Sequence, residues 1–161
     1  MKTLLLMRHA KSSWGDETLP DHERPLNDRG RRDAPAMGRR LAESSFVPDR
    51  ILCSTARRAR ETAELVVESL GADRPLDVRE GIYHATPAEI LAAIAESGDG
   101  DTLLVIGHNP GMGELVGRLT EFDDSMPTAA IAFIELPIDA WPEVMTASGR
   151  LLDFWKPQDE A

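Results

Sequence analysis

Cysteine is nearly missing from this chain. Cys53 is the one cysteine among 161 residues, so no internal disulfide can form. It lies in an apolar stretch and reads as a buried structural thiol. Histidine is also scarce, at four residues. None has the close carboxylate or cysteine spacing of a zinc site, and no metal or cofactor is implied. No apolar run is long enough to cross a membrane or to form the core of a secretory signal. The expectation is a cytoplasmic protein with no membrane partner. Internal repeats and low-complexity stretches are absent too.

Positive charge is missing from most of the chain. Residues 1–60 hold 13 Lys/Arg against 8 Asp/Glu, whereas the remainder holds 5 against 20. The net charge of −10 argues against nucleic acid as a partner. The local excess of cations near the N-terminus points instead to a small anionic group. Arg31, Arg32, Arg39 and Arg40 read as solvated helix faces; Arg8 and Arg58 are the arginines placed in a site. With 42% hydrophobic and 29% charged residues, the chain is an ordinary globular one, expected to form a single domain over residues 1–161.

Three stretches carry the chemistry. Residues 3–7 form an apolar run of strand length that stops at Arg8-His9, with Lys11 close behind. In open parallel sheets ligands bind beyond the carboxyl ends of the strands. Residues 102–106 form a second apolar run, followed by Gly107-His108-Asn109-Pro110-Gly111. Residues 50–53 form a third, running into a helix over residues 56–70 that Ser54 or Thr55 would cap. A helix N-terminus offers free N–H groups to an anion, and an arginine on its first turn adds a forked donor. Each stretch alone has a plainer reading, such as a salt-bridged arginine or a hydrogen-bonded histidine. Two strand ends with a histidine each, and a helix start with Arg57 and Arg58, can converge on one anion site.

The rest of the chain alternates strands and helices. A polar loop over residues 11–27 holds Trp14, His22 and Arg24. Arg24 either reaches a phosphate or lies on the surface, His22 belongs to the surface, and Trp14 packs over the rim or anchors the loop. A helix capped by Asn27 or Asp28 runs to about residue 43, with Pro35 marking a late start or a kink. Gly71 ends the next helix. A strand over residues 75–78 precedes a helix capped by Thr86 with Pro87 in its first turn. A helix over 111–120, a strand over 129–136, a helical turn over 141–145 and a strand over 150–155 follow. Residues 157–161 read as a loose tail. The pattern predicts a three-layer α/β/α fold with a mostly parallel sheet. The last two strands lack a crossover helix, so one strand is antiparallel.

Arg8-His9-Ala10 resembles the Arg-His-Gly motif of the histidine phosphatase superfamily, which includes the cofactor-dependent phosphoglycerate mutases. Ser54-x-x-x-Arg58-Ala59-x-x-Thr62-Ala63 resembles that family's second arginine motif, and Val105-Ile106-Gly107-His108-Asn109 its second histidine motif. Order, spacing and size are most similar to the SixA-type phosphohistidine phosphatases, as is Arg24-Pro25-Leu26-x-x-x-Gly30. The resemblance spans roughly residues 2–156. It implies a phosphoglycerate mutase-like fold and a hydrolase that works through a phosphohistidine intermediate. His9 would be the nucleophile, with Arg8, Arg58 and His108 around the phosphoryl group and Ser54, Arg24 and Lys11 as further substrate contacts. The implied substrate is a phosphohistidine on another protein. The alternatives are a small-molecule phosphomonoesterase of the same fold and a non-catalytic phosphate-binding module. In mutase-like relatives a Glu acts as general acid; here Glu80 is the candidate, with a surface carboxylate as its plainer reading. Tyr83 and His84 are rim candidates. The family's Gly after the nucleophile is Ala10 here, which requires an ordinary backbone φ at that position.

Overall fold

Alternate side chains of an extended strand point to opposite faces, so a strand apolar at every position needs cover on both sides. The first strand, β1 (Lys2–Arg8), is built this way. Leu4 and Leu6 enter one apolar cluster, Leu5 and Met7 the other, and all four are fully buried. The computed structural model describes residues 1–71 and 73–157. The expected loose tail falls outside them from residue 158 on.

Chain order continues with α1 (Asp28–Ala42), β2 (Arg50–Ser54), α2 (Arg57–Leu70), β3 (Leu76–Arg79), α3 (Pro87–Ala95), β4 (Thr102–Gly107), α4 (Gly111–Thr120), β5 (Ile131–Leu136) and β6 (Arg150–Trp155). Short 3₁₀ turns lie at Asp21–Glu23, Glu80–Ile82 and Trp141–Thr146. The six strands form one sheet in the order β3-β2-β4-β1-β5-β6. Only β5 runs against the rest, pairing antiparallel with both β1 and β6. The expected architecture is thus present, antiparallel strand included. Helices α1 and α2 bury Met37, Leu41, Ala63 and Val66 against one face. Helices α3 and α4 bury Ile90, Ile94, Leu115 and Val116 against the other. Among the described residues no helix is long and apolar enough to cross a membrane.

Several local expectations hold. Asn27 caps α1 by accepting from Gly30 N at 2.9 Å. Thr86 and Glu89 form a reciprocal capping box on α3. Gly71 closes α2 at φ 81°. Two expectations are corrected. Pro35 neither delays nor breaks α1, which is continuous from Asp28; the Asn27 cap and the buried apolar stripe outweigh the missing backbone donor. The cap of α2 is Ala56, not Ser54 or Thr55. Ser54 instead accepts from Ala56 N at 3.1 Å, one step before the helix, because its side chain is drawn inward.

Cys53 is buried, and loss of hydration pushes its thiol up to about 12. The loop after β1 is clamped to α1 by close approach. A Cβ on Gly30 would lie 2.1 Å from the Lys11 carbonyl oxygen, too near for any side chain. Gly30→Ala should therefore cost about 1–3 kcal/mol of unfolding free energy, read from urea denaturation. An unchanged midpoint would mean that the loop yields freely.

Candidate active site

The parallel pairing of β1 with β4 sets Arg8 opposite Gly107. The next residues, His9 and His108, leave the sheet side by side with ring centroids 5.1 Å apart. Both are more than nine-tenths buried. Helix α2 begins beside them and brings in Arg58, which is 3% exposed. Together with Lys11, Ser12, Trp14, Asp21, Arg24, His84, Asn109 and Thr128 these residues line an open cleft of about 210 Å³.

His9 is held in one tautomer. Its Nδ1 lies 2.7 Å from the Ala10 carbonyl oxygen, which can only accept, so Nδ1 carries the proton. Nε2 is left with its lone pair and no hydrogen-bond partner among the described residues. Burial is the main reason the ring resists protonation; the Ala10 carbonyl opposes this, while Arg58, Arg8 and Arg24 reinforce it. The balance puts the pKa at about 4. His9 is therefore neutral at physiological pH. The turn that follows is pinned to α2. Thr62 Oγ1 accepts from Ala10 N at 3.0 Å and donates to the Arg58 carbonyl at 2.7 Å. Ala10 keeps an ordinary φ, since the left-handed non-glycine residues among those described are His84, Glu121 and Ala129. Ala substitutes for Gly without strain here.

His108 is also kept neutral. Burial lowers its pKa first, followed by His9, Arg58 and His84, against a smaller opposing pull from Asp21, to about 3. Its Nε2 lies 2.7 Å from Ser54 Oγ. Ser54 already accepts from Ala56 N, so its own proton is free to go to Nε2. The proton of His108 then sits on Nδ1, which is buried without a partner. Arg8 Nε and Arg58 Nε are likewise buried with no partner among the described residues. Buried donors of this kind carry a free-energy cost unless something accepts from them. Three of them around one cleft match an oxyanion.

The loop over residues 11–27 supplies what the sequence did not reveal. Asp21, on its 3₁₀ turn, is the hub of the cleft wall. Its Oδ2 accepts from Arg58 Nη2 at 3.0 Å and Tyr83 Oη at 2.6 Å, with His84 Nε2 at 3.2 Å. Its Oδ1 takes Arg24 at 3.0–3.1 Å. Arg58 Nη1 also donates to the Asp21 carbonyl at 2.8 Å. Partial burial opposes the charge on Asp21, but the Tyr83 and Arg58 hydrogen bonds and the Arg58 and Arg24 guanidiniums overcome it. The carboxyl is held well below the usual carboxylate range.

The expected site residues are thus sorted by position. Arg8, His9, Arg58 and His108 converge. Arg24 is buried, reaches Ser12 Oγ at 2.9 Å, and carries the exposed Trp14 ring 3.5 Å from its guanidinium carbon. Lys11 lines the cleft from an exposed position. Ser54 does not face the cleft; it is fully buried beneath His108. Glu80 is exposed and absent from the cleft lining; from the same segment His84 joins the lining and Tyr83 reaches Asp21 behind it. His22 is not a free surface group. It meets Thr55 Oγ1 at 2.8 Å and the Tyr83 ring at 4.8 Å. Asp21, Asn109 and Thr128 were missed. The three-residue spacing of Asp21 and Arg24 was the one available signal.

The chain is similar to known proteins in sequence and in fold. Residues 4–83 match the model of the histidine phosphatase superfamily, branch 1. An uncharacterised protein of Mycobacterium tuberculosis is 34% identical over 94% of this chain and 100% of its own length. A structure assigned as the phosphohistidine phosphatase SixA from Nakamurella multipartitia superposes with a TM-score of 0.84 at 29% identity, covering 97% of this chain and 96% of the other. The protein histidine phosphatase SixA complexed with tungstate superposes at 0.78 with 25% identity, covering 96% and 97%. The chain belongs to the histidine phosphatase superfamily and is a phosphatase.

The two histidines should stay neutral in solution. In a proton NMR titration, ring signals of His9 and His108 should show no inflection between pH 8 and about pH 5. A midpoint near the ordinary 6.5 for either would contradict the buried, guanidinium-flanked environment. Stability follows the same sign. The unfolded chain binds protons at these two sites from about pH 6.5 downward while the folded chain does not, so stability falls as pH drops from 6.5 towards 4.

Proposed function

We propose that the chain is a protein phosphohistidine phosphatase that works through a phosphorylated His9. The observation that carries this reading is the locked tautomer of His9. A neutral ring with Nδ1–H tied to Ala10 and Nε2 bare can attack phosphorus without bringing negative charge to an anion.

His9 Nε2 forms a bond to phosphorus, and the bond from phosphorus to the substrate nitrogen breaks. The electron pair returns to the substrate imidazole, whose other nitrogen already carries a proton, so the ring leaves neutral. Arg8, Arg58 and His108 Nδ1–H take the charge spreading over the phosphoryl oxygens. Water then attacks the phosphorus on His9, and phosphate is released as Nε2 regains its pair.

Two features support a phosphohistidine substrate. The cleft is open, which admits a residue borne on another protein. It also contains no carboxylic acid that holds a proton: Asp21 is locked as an anion and Glu80 lies outside. An imidazole leaving group needs no such acid. SixA neighbours in structure point the same way.

The test is phosphate release from a phosphohistidine-bearing protein by wild type and His9→Ala. Wild type should turn over, and the variant should lose on the order of 10³-fold or more in kcat. Labelled phosphoenzyme, trapped in alkali, should map to His9 and be absent from the variant. Release that survives His9→Ala would remove His9 as nucleophile.

A further inference from the structure

His84 is left over from this mechanism, yet the fold constrains it heavily. Its φ of 51° lies in the left-handed region, which histidine adopts at a cost. The next residue is closely packed: the Ala85 carbonyl oxygen lies so near the start of α4 that a Cβ on Gly111 would sit 2.1 Å from it. The His84 imidazole lines the cleft and is 58% exposed.

Its chemistry follows from its partner. Asp21 is an anion that can only accept, so His84 Nε2, 3.2 Å away, carries a proton towards it. Nδ1 has no partner among the described residues and is the atom left to exchange a proton. A carboxylate that orients one imidazole nitrogen while the other transfers protons is a working acid–base pair. The groups facing His84 are Asp21 from the loop before α1, Arg58 of α2 on the same carboxylate, Tyr83 at 4.0 Å between ring centroids and His108 at 5.8 Å.

We propose that His84, oriented by Asp21, donates a proton to the leaving oxygen, so that the same cleft hydrolyses phosphomonoesters with poor leaving groups as well as phosphohistidine. The inference rests on His9 as the nucleophile. In the first step the His9 Nε2 lone pair bonds to phosphorus. The reacting form of His84 carries a proton on both ring nitrogens. The P–O bond breaks with its pair on oxygen, the Nδ1 proton moves to that oxygen, and a neutral alcohol departs while Nε2–H stays on Asp21. His84 is then neutral. In the second step water attacks phosphorus and gives its proton to His84 Nδ1. The P–N bond breaks with its pair on His9 Nε2, and hydrogen phosphate leaves. Ester and water become alcohol and phosphate, and both histidines return to their starting state.

A general acid matters most when the leaving group is poor. The experiment measures kcat/KM, which reads only the steps up to alcohol release, on glycerol 2-phosphate and on p-nitrophenyl phosphate. It compares wild type, His84→Asn, His84→Gly and His9→Ala. Asn tolerates the left-handed backbone and Gly relieves it, so both variants keep the turn. The expected result is a loss on the order of 100-fold on the alkyl ester in both His84 variants, with less than about 10-fold on the aryl ester. Equal losses on the two esters would reduce His84 to a structural residue and overturn the proposal. So would a wild type that leaves glycerol 2-phosphate untouched. Ester turnover that persists in His9→Ala would instead sink the nucleophile reading, a separate failure.

Discussion

Everything at the cleft depends on where two parallel strands stop. β1 and β4 pair in register from Thr3 with Thr102 to Arg8 with Gly107, and both end on the same line. One residue later each delivers a histidine. Both faces of β1 are apolar, so what a shift of one position would disturb is its ends, drawing Lys2 or Arg8 towards the buried run of Leu4 to Met7. The side-by-side placing of the two imidazoles follows from this strand pairing. The turn before β5 adds a fastening from the other side: Ala129 N donates to the carbonyls of both Arg8 and His9.

A second constraint is electrostatic. The fold buries Arg58 and Arg24 almost completely and leaves Arg8 partly covered. Cations packed this closely need an anion, and in the free protein Asp21 supplies it. Its carboxylate occupies one edge of Arg58 and leaves Nε unmatched. The guanidinium is thus held in place before any phosphoryl group arrives, and little reorganisation is needed when one does. Ser54 does the same for His108 from beneath. Ser54, which does not line the cleft, acts on it only through the ring it holds.

Most of the architecture was legible from the sequence because it rests on local pattern. Fully apolar runs bounded by turns announced β1, β2 and β4, and the missing crossover between β5 and β6 announced the antiparallel strand. Arg8, His9, Arg58 and His108 stood at the ends of those elements and could be placed from them. The failures share one cause. Asp21 sits on a three-residue turn that has no periodicity to read. Ser54 is drawn inward by His108, fifty-four positions away, so its local appearance as a helix cap misled. Glu80 and His84 lie four residues apart, and the sequence does not say that His84 lines the cleft while Glu80 does not. Long-range contacts and single unusual dihedrals leave no mark on a linear pattern.

The deeply buried thiol of Cys53 has a consequence for robustness. Phosphatases that attack with sulfur are silenced when peroxide or an alkylating agent reaches the thiolate. This chain has one sulfhydryl, shut inside the sheet and held protonated, while the attacking atom assigned to the cleft is a ring nitrogen. If His9 is the attacking group, as proposed, the reacting centre offers peroxide and alkylating agents no thiolate, unlike phosphatases that attack with sulfur.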